Sequence, residues 1–212
     1  MSVPRFEVAI IGSGFGGSLL ASIARRLGLR VALVERGSHP RFAIGESSSP
    51  LANVLLEQLS ERYGLDRVRP LAKYGTWLAS RPELDCGLKR GFTFYAEKEG
   101  EKFRRRADRA TELLVAASPN DGVADTHWMR SDVDRFLAEE AVRQGAEYFD
   151  RTELTVLSRE REGWRLEGER EGRAFRCDAG FLVDASGPRG FLAGRLAIPE
   201  TAFPDLPETS GL

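Results

Sequence analysis

The sequence contains 212 residues, of which 42% are hydrophobic and 30% are charged, and its 31 basic and 32 acidic residues give a formal net charge of -1 at pH 7. This length and composition predict a globular protein with one sizeable core and exclude a disordered chain. Because the charges nearly cancel, no overall field attracts nucleic acid or an anionic membrane, and we expect neither as a partner. We interpret the single basic run at residues 102–106 as a solvated loop rather than a phosphate or RNA site.

Cysteine and histidine positions give no sign of a metal site. Cys86 and Cys177 are far apart and form no CxxC pattern, so neither a disulfide framework nor a zinc site is predicted. His39 and His127 are not spaced as metal ligands, and we interpret both as loop or surface residues. The N-terminal sequence has no leader pattern and no apolar run reaches about 18 residues, so we expect a soluble, cytoplasmic protein.

The first 35 residues predict a βαβ unit. Residues 6–11 are almost continuously apolar, as is typical of a parallel strand covered on both faces. Residues 18–27 carry apolar positions at helical spacing, and Gly28 is placed to end that helix. Residues 30–35 then predict a second strand.

A glycine-rich turn, Gly12-Ser-Gly-Phe-Gly-Gly17, lies between the first strand and the helix, and Glu35 ends the second strand. In such a pattern Gly12 permits the tight turn, Gly14 lets the backbone approach a pyrophosphate, and Gly17 lets helix and strand pack closely. The phosphates lie at the helix N-terminus, and the acid accepts hydrogen bonds from the ribose hydroxyls. This order of elements favours dinucleotide binding over a purely structural turn. Because Glu35 would repel a ribose 2′-phosphate, FAD or NAD is favoured over NADP.

Two further helices are predicted. Pro50, preceded by Ser49, predicts a helix start, since proline is favoured at the first helical position. Its predicted buried stripe consists of Leu51, Val54, Leu55 and Leu59. A later helix is predicted to open at a capping-box-like pair, Ser131 and Asp134, and to end at Gly145. Its predicted buried face consists of Val133, Phe136, Leu137 and Ala141.

Short strands are predicted in the second half of the chain. Residues 154–157, 164–166 and 174–177 predict an antiparallel meander, and residues 181–184 predict one more apolar strand. From residue 198 onward prolines recur without periodicity. An NAD dehydrogenase would continue with repeated βα units after Glu35, so this interrupted pattern favours a flavoprotein.

The stretch at residues 88–95 predicts a strand with a lysine on one face. Lys89 and Gly91 share that face with Thr93 and Tyr95, while Leu88, Phe92 and Phe94 share the other. If the phenylalanine face packs on the core, Lys89 faces a cavity that Gly91 keeps open. Most lysines on strands face water, and that alternative stays open.

These motifs resemble the flavin-dependent halogenases, which are related to aromatic hydroxylases and geranylgeranyl reductases, along essentially the whole chain. The resemblance rests on the glycine turn, Glu35, and the segments at residues 41–50, 88–95, 130–137 and 182–187. It implies FAD as cofactor, with the ADP part at the glycine turn and the flavin under residues 41–50, called the strap below. The cofactor-binding residues it implies are Gly12, Ser13, Gly14, Phe15, Gly16, Gly17, Glu35, Arg36, Arg41, Gly45, Glu46, Ser47, Arg130, Asp184 and Gly187.

The same resemblance implies that Lys89 is catalytic and that the substrate is a small aromatic molecule. Reduced FAD, oxygen and halide would give an electrophilic halogen, which Lys89 would receive either as a haloamine or through a hydrogen bond. A separate flavin reductase is an implied partner. A flavin monooxygenase or FAD-dependent reductase on the same fold, and a catalytically inert nucleotide-binding remnant, stay open as alternatives.

The implied fold is α/β. It is a Rossmann-like FAD-binding domain whose parallel sheet carries an inserted antiparallel β-meander, followed by the beginning of a substrate-domain sheet. Residues 1–50 would form the βαβ unit and strap, residues 70–128 an inserted region toward the substrate, and residues 130–190 the capped helix, meander and return strand. The family pattern continues beyond residue 212, so we expect the N-terminal part of a longer enzyme, which alone binds FAD weakly or not at all and turns over nothing.

Overall fold

Ten strands and five α-helices make up the part of the chain that this computed structural model describes, namely residues 3–115, 118–188, 190–199 and 201. The strands are Arg5–Ile11 (β1), Val31–Val34 (β2), Cys86–Lys89 (β3), Phe92–Tyr95 (β4), Glu112–Val115 (β5), Asp125–Trp128 (β6), Glu147–Phe149 (β7), Thr152–Glu160 (β8), Gly163–Arg170 (β9) and Arg173–Asp184 (β10). The helices are Phe15–Arg26 (α1), Pro50–Arg62 (α2), Tyr74–Ser80 (α3), Arg130–Arg143 (α4) and Phe191–Arg195 (α5), and two short 3₁₀ turns span Arg69–Ala72 and Asp121–Val123.

Six strands form one mixed sheet in the order β7, β2, β1, β10, β9, β8. The first four are parallel neighbours, and β10, β9 and β8 continue the sheet as an antiparallel meander. The predicted α/β fold, with a parallel sheet and an antiparallel meander, is therefore confirmed. Two smaller antiparallel pairs, β3 with β6 and β4 with β5, lie in the segment where a further sheet was expected.

The sheet is covered on both faces. On one face α1 and α4 pack through small and aliphatic side chains, a cluster formed by Ile10, Ala21, Ala24, Val31, Leu33, Ala141 and Ala146. The opposite face joins β1 and β2 to the meander through Phe6, Ala9, Ile11, Ala32, Val34, Leu154, Leu166, Phe175, Cys177 and Ala179. Two-sided burial explains why β1 and β2 are almost purely apolar in sequence.

The predicted βαβ unit is confirmed, and glycines end the helices as expected. β1 and β2 are parallel, and α1 connects them. Gly28 follows α1 with φ of +85°, and Gly145 follows α4 with φ of +96°. Both values lie in the left-handed region, which glycine adopts without a steric penalty.

The meander strands are longer than the sequence predicts. The stretches at residues 174–177 and 181–184, expected as two strands, form the single strand β10. Its first half pairs antiparallel with β9, and its second half pairs parallel with β1. The sheet hydrogen bonds therefore carry the strand through the intervening Ala179 and Gly180 without interruption.

The predicted start of α4 is wrong by one residue. The helix begins at Arg130, and no side chain caps its N-terminus. Asp134 does not serve a capping box, because its carboxylate accepts two hydrogen bonds from the Arg130 guanidinium one turn earlier. The predicted buried face of this helix is confirmed at Val133, Phe136, Leu137 and Ala141.

The predicted buried stripe of α2 is wrong at three of its four positions, and only Leu59 packs against the core. Its start is confirmed, since the Ser49 hydroxyl accepts a hydrogen bond from the Ala52 amide at 3.2 Å. However, the buried face consists of Asn53, Leu56 and Ser60, whereas Leu51, Val54 and Leu55 are exposed and Leu59 is half-buried. On this face Leu56 packs into the core, and Asn53 has buried hydrogen-bond partners outside the helix.

Among the described residues, no helix is both long and apolar enough to cross a membrane. Cys86 and Cys177 are both free thiols. The basic run at residues 102–106 is exposed and irregular, as expected of a solvated loop. Most of the proline-rich stretch that begins at residue 198 lies outside the described residues.

Candidate functional site

The glycine turn between β1 and α1 is sterically fixed at its two ends. Gly12 has φ of +103°, and a Cβ there would lie 2.3 Å from the Ala185 carbonyl oxygen. A Cβ on Gly17 would lie 2.0 Å from the Gly12 carbonyl oxygen. Neither position accepts a side chain unless the backbone moves, so the roles predicted for these glycines fit the local packing.

Gly14 is constrained in a different way. A Cβ on Gly14 would meet only the Arg41 guanidinium at 3.5 Å and the Asp134 carboxylate at 3.8 Å, which are ordinary contacts. No side chain caps α1, which begins at Phe15, so the first amide groups of the helix have no side-chain acceptor. Such a helix start favours an anion, and glycine lets the anion approach the backbone.

Two alanine substitutions in this turn should therefore have opposite effects. Gly14→Ala is expected to leave the melting temperature nearly unchanged and to weaken FAD binding, because the added methyl group obstructs the pyrophosphate rather than the protein. Gly17→Ala is expected to lower the melting temperature by several degrees, because the methyl group overlaps the Gly12 carbonyl. Thermal unfolding with and without FAD measures both effects. Equal loss of stability in the two variants would contradict the assignment of Gly14 to phosphate binding.

Glu35 lies at the end of β2, with only 8% of its surface exposed. Its carboxylate accepts hydrogen bonds from the Ser13 amide at 2.9 Å, the Ser13 hydroxyl at 3.0 Å and the Gly37 amide at 2.9 Å. The Arg41 guanidinium lies 3.6 Å away. Burial raises the pKa of Glu35, but these hydrogen bonds and the Arg41 charge outweigh it and hold the pKa below its usual value.

Two residues that the sequence did not assign to the site also contact Ser13. The His39 Nε2 atom lies 2.8 Å from the Ser13 hydroxyl and 3.0 Å from its carbonyl oxygen, and the Tyr148 hydroxyl lies 3.2 Å from the same side chain. Burial lowers the pKa of His39 and favours the neutral ring. The interpretation of His39 as a plain loop residue was therefore incomplete, because its contact partner lies 26 residues away.

A cleft of about 740 Å³ opens at the carboxyl ends of β1, β2 and β10. In parallel α/β sheets, ligands bind at this edge. Gly12, Glu35, Arg36 and Arg41 line the cleft, together with Ala185 and Ser186 after β10. The geometry thus brings together four of the residues predicted to bind the cofactor.

The remaining residues of the turn face elsewhere. Phe15 packs against Trp128, with ring centroids 4.6 Å apart, so its side chain belongs to the core. Gly16 is exposed with open space around it. Neither Phe15 nor Gly16 lines the cleft, so only their backbone amides at the start of α1 are candidates for cofactor contact.

Arg130 connects α4 to the strap. Its guanidinium forms a two-pronged ion pair with the fully buried Asp134, at 2.9 and 3.0 Å, and donates to the Ile44 carbonyl oxygen at 2.6 Å. Gly45 has φ of +96°, and a Cβ there would lie 3.1 Å from the Arg130 Nη1 atom. Arg130 therefore holds the strap backbone, an arrangement in which Gly45 leaves room for the guanidinium.

The strap continues alongside β6, to which it is joined by an isolated β-bridge and neighbouring backbone hydrogen bonds. The Trp128 amide donates to the Glu46 carbonyl oxygen at 2.7 Å, and Ser47 forms a bridge with His127. The Glu46 carboxylate accepts from the Gly45 amide at 3.0 Å and is exposed. Backbone pairing rather than side-chain contact thus fixes Glu46 and Ser47.

Asp184 organises the turn that follows β10. Its carboxylate accepts from the Ser186 amide at 3.0 Å and from the Leu192 amide at 2.7 Å. Gly187 lies in the same turn with φ of +103° and is exposed. Neither residue lines the cleft, whose wall is formed here by Ala185 and Ser186, and the Asp184 carboxylate accepts hydrogen bonds from its own turn.

Lys89 is buried, with 4% of its surface exposed, at the end of β3. Its ammonium donates to the Ser48 carbonyl oxygen in the strap and lies 3.7 Å from the centroid of the Phe92 ring. Burial lowers the pKa of Lys89, and the charge of Asp125 opposes that effect. Lys89 is thus joined to the strap, and the alternative that it faces water is wrong.

The predicted single strand at residues 88–95 is divided in two. The strand is interrupted at Arg90 and Gly91, where Gly91 has φ of +154°. As a result, β3 pairs with β6 and β4 pairs with β5. The expectation that Phe92 and Phe94 pack on the core is wrong, since Phe92 is half-buried and Phe94 is 57% exposed. Lys89 is buried instead, because its end of β3 lies against the strap.

Residues 7–208 match the protein family described as FAD dependent oxidoreductase. Among curated proteins, the chain is 30% identical over 203 residues to the monodechloroaminopyrrolnitrin halogenase PrnC of Pseudomonas fluorescens, covering 92% of this chain and 33% of that protein. It is 31% identical over 195 residues to the tetracycline 7-halogenase of Kitasatospora aureofaciens, covering 92% and 34%. The chain therefore spans about a third of the length of these relatives.

The fold is similar to solved halogenase structures. Halogenase PltM in complex with phloroglucinol and FAD superposes with a TM-score of 0.77 at 26% identity, covering 91% of this chain and 36% of that one. The myxobacterial chondrochloren halogenase CndH superposes with a TM-score of 0.64 at 29% identity, covering 88% and 38%. The predicted resemblance to flavin-dependent halogenases and the predicted cofactor, FAD, are confirmed.

Proposed function

Because the chain belongs to the family of FAD-dependent oxidoreductases, we propose that it is the FAD-binding and lysine-bearing part of a flavin-dependent halogenase acting on a small aromatic substrate. The observation that carries the proposal is the burial of Lys89 against the carbonyl oxygen of Ser48. The Lys89 amine is thereby bound to the strap, the segment whose backbone also accepts hydrogen bonds from Arg130. Relatives named for monodechloroaminopyrrolnitrin and tetracycline, and a structure with phloroglucinol, support an aromatic substrate.

The residues at the cleft fit FAD. The glycine turn and the start of α1 would hold the pyrophosphate, since Gly12 and Gly17 leave no space for side chains while Gly14 leaves its outer side open. Glu35 would accept the ribose hydroxyls. The buried Arg41 Nε atom has no hydrogen-bond partner within the described residues, which supports a phosphate contact there. When bound, reduced FAD would supply two of the four electrons that reduce oxygen to water, and the halide would supply the other two and so become the electrophilic halogen.

In this proposal Lys89 receives the electrophilic halogen. Its lowered pKa makes the neutral amine more accessible at neutral pH, as a nucleophilic amine requires. The Phe92 ring and the Ser48 carbonyl oxygen would keep the nitrogen at a fixed position. Both routes, a haloamine on Lys89 and a hydrogen bond from it, remain compatible with this position.

The proposal assigns turnover to this chain together with the additional length that its relatives have. A separate flavin reductase is the proposed source of reduced FAD. In this proposal the isolated chain contributes the adenosine-binding half of the site and Lys89, and it is inactive alone.

The test is a product assay with FAD, a flavin reductase, oxygen, chloride or bromide, and a panel of phenols and pyrroles. The chain is assayed alone and joined to the further two thirds of a relative's sequence. We expect a product with the halogen isotope pattern from the joined protein only. A product that has gained a single oxygen atom instead would overturn halogenation in favour of a monooxygenase.

A further inference from the structure

Asp125 and Asn53 form a buried polar pair next to Lys89 that the proposed reaction does not yet use. Asn53 has 5% and Asp125 8% of its surface exposed. The Asn53 amide nitrogen donates to one Asp125 carboxylate oxygen at 2.7 Å and to the Ser48 hydroxyl at 3.1 Å. The second carboxylate oxygen, Oδ2, is buried and has no hydrogen-bond partner among the described residues.

A buried carboxylate oxygen without a partner requires a donor or a positive charge nearby. Water is one candidate donor, and a protein cation is the other. Asp125 lies directly opposite Lys89 in the ladder between β3 and β6. In an antiparallel pair, opposite residues project from the same face with Cβ atoms about 4.5–5.5 Å apart. Lys89 is therefore the cation that the strand register places beside Asp125.

Other charged groups on the elements around Lys89 and Asp125 have hydrogen-bond or ion-pair partners of their own. Arg90, next to Lys89 in the chain, points away to Asp121. Glu46 in the strap directs its carboxylate to the adjacent Gly45 amide. Lys73 lines the same small cavity as Asn53 and Asp125, but its ammonium donates to both Glu57 carboxylate oxygens at 2.7 Å. Asp125 is the charge that remains to act on Lys89, in agreement with the direction of its electrostatic effect.

We propose that Asp125, oriented by Asn53, is the positioning carboxylate that faces Lys89 across the β3–β6 ladder and limits the loss of charge that burial imposes on the Lys89 ammonium. The inference deepens the halogenase proposal and rests on it for its functional meaning. Asp125 touches no cofactor or substrate in this scheme, and it acts through Lys89. The Asn53 amide links the strap to this carboxylate, because it donates to both Ser48 and Asp125.

Two elements therefore act on Lys89: the strap supplies a hydrogen-bond acceptor, and β6 supplies a negative charge. In the present arrangement the Lys89 ammonium donates to the Ser48 carbonyl oxygen, and among the ion pairs of the described residues none joins it to Asp125.

The test measures the protonation of Lys89 in the isolated chain without FAD or halide. Trace acetic anhydride labels each lysine amine in proportion to its unprotonated fraction, and mass spectrometry of peptides gives a midpoint pH for Lys89, with the exposed Lys98 as internal reference. Asp125→Asn removes the charge with little change of shape. We expect the Lys89 midpoint to fall by about one pH unit or more, since an opposite charge within about 4–6 Å shifts a pKa by that amount.

Asp121→Asn is the matched control, because it neutralises an exposed aspartate that pairs with Arg90 and leaves Asp125 in place. A Lys89 midpoint equal to that of the unaltered chain in folded Asp125→Asn would overturn the inference in favour of a water-bound carboxylate. If Asp125→Asn does not fold, Asn53→Ala decides: a smaller fall of the midpoint supports the inference, and no fall overturns it. Because no halide or FAD is present, failure of the halogenation assay is a separate result.

Discussion

Replacing Glu35 with alanine is expected to weaken FAD binding by about 100-fold. Two ribose hydroxyls would each lose a hydrogen bond to a charged acceptor, worth at least about 1.5 kcal/mol, and about 1.4 kcal/mol corresponds to a factor of ten. Fluorescence titration of the joined protein with FAD measures the effect, and ADP should compete because it carries the same ribose. Glu35→Gln keeps one acceptor oxygen and should fall between the two proteins.

Glu139→Ala, which removes an exposed carboxylate from α4, is the control for a general loss of negative charge. Thermal unfolding is recorded alongside, since Glu35 also accepts from the Ser13 and Gly37 amides. Unchanged FAD affinity in a folded Glu35→Ala protein would contradict a ribose contact. Saturable binding that ADP does not displace would place FAD elsewhere in the fold.

The lowered pKa of Glu35 gives this binding a pH dependence of known sign. The carboxylate stays ionised below the ordinary glutamate value of about 4.3, so FAD affinity should stay level from neutral to mildly acidic pH. The stability that Glu35 contributes is present above its unfolded pKa and is lost as the pH falls through the lower folded pKa. Titrations at pH 7 and pH 5 should therefore agree, and a tenfold loss at pH 5 would indicate another titrating group.

The parts of the fold that could be predicted from the sequence are those fixed by local sterics. Gly12 and Gly17 have no space for a Cβ, and Glu35 follows from the end of an apolar strand. These constraints act within one βαβ unit, so residue spacing is sufficient to reveal them. The same holds for Gly28 and Gly145, whose positive φ values end their helices.

The errors arose where distant segments decide which face is buried. Helical spacing identified residues that share a face of α2, but the buried face is set by Asn53, whose partner Asp125 lies 72 residues away. The contact between Tyr148 and Ser13 was missed as well, because the two residues are 135 positions apart in the sequence. Helical spacing alone places Asn53 on the polar side of α2, so no local signal identified it as buried.

The division of residues 88–95 into two strands has a similar origin. Strict alternation assigned Phe92 and Phe94 to the core, yet Gly91 interrupts the pleat and each half pairs with a different strand. Lys89 is buried because its strand end meets β6 and the strap, a contact invisible to alternation. Lys89 is thus buried on a strand whose geometry was predicted wrongly, and its catalytic role stays a prediction.

Replacing Lys89 with methionine is expected to reduce halogenation by the joined protein at least about 100-fold, because removing a group that acts on the transferred atom typically costs that much. FAD affinity should not change, since Lys89 lies outside the cleft that holds Glu35. Lys98→Met, at an exposed lysine paired with Glu101, is the matched control and should keep full activity. Equal product from the Lys89→Met and Lys98→Met proteins would remove Lys89 from the reaction.

Lys89→Arg separates the two routes by which the lysine could act. Arginine keeps the positive charge and the hydrogen-bond donors, but its pKa above 12 prevents it from becoming a neutral amine. If a haloamine forms, Lys89→Arg should be as inactive as Lys89→Met. If a hydrogen bond suffices, it should retain a measurable part of the activity, provided that thermal unfolding shows that the larger guanidinium fits between Phe92 and Ser48. The ratio of the halogenation activities of these two variants therefore decides whether the Lys89 nitrogen bonds to the halogen or only directs it through a hydrogen bond.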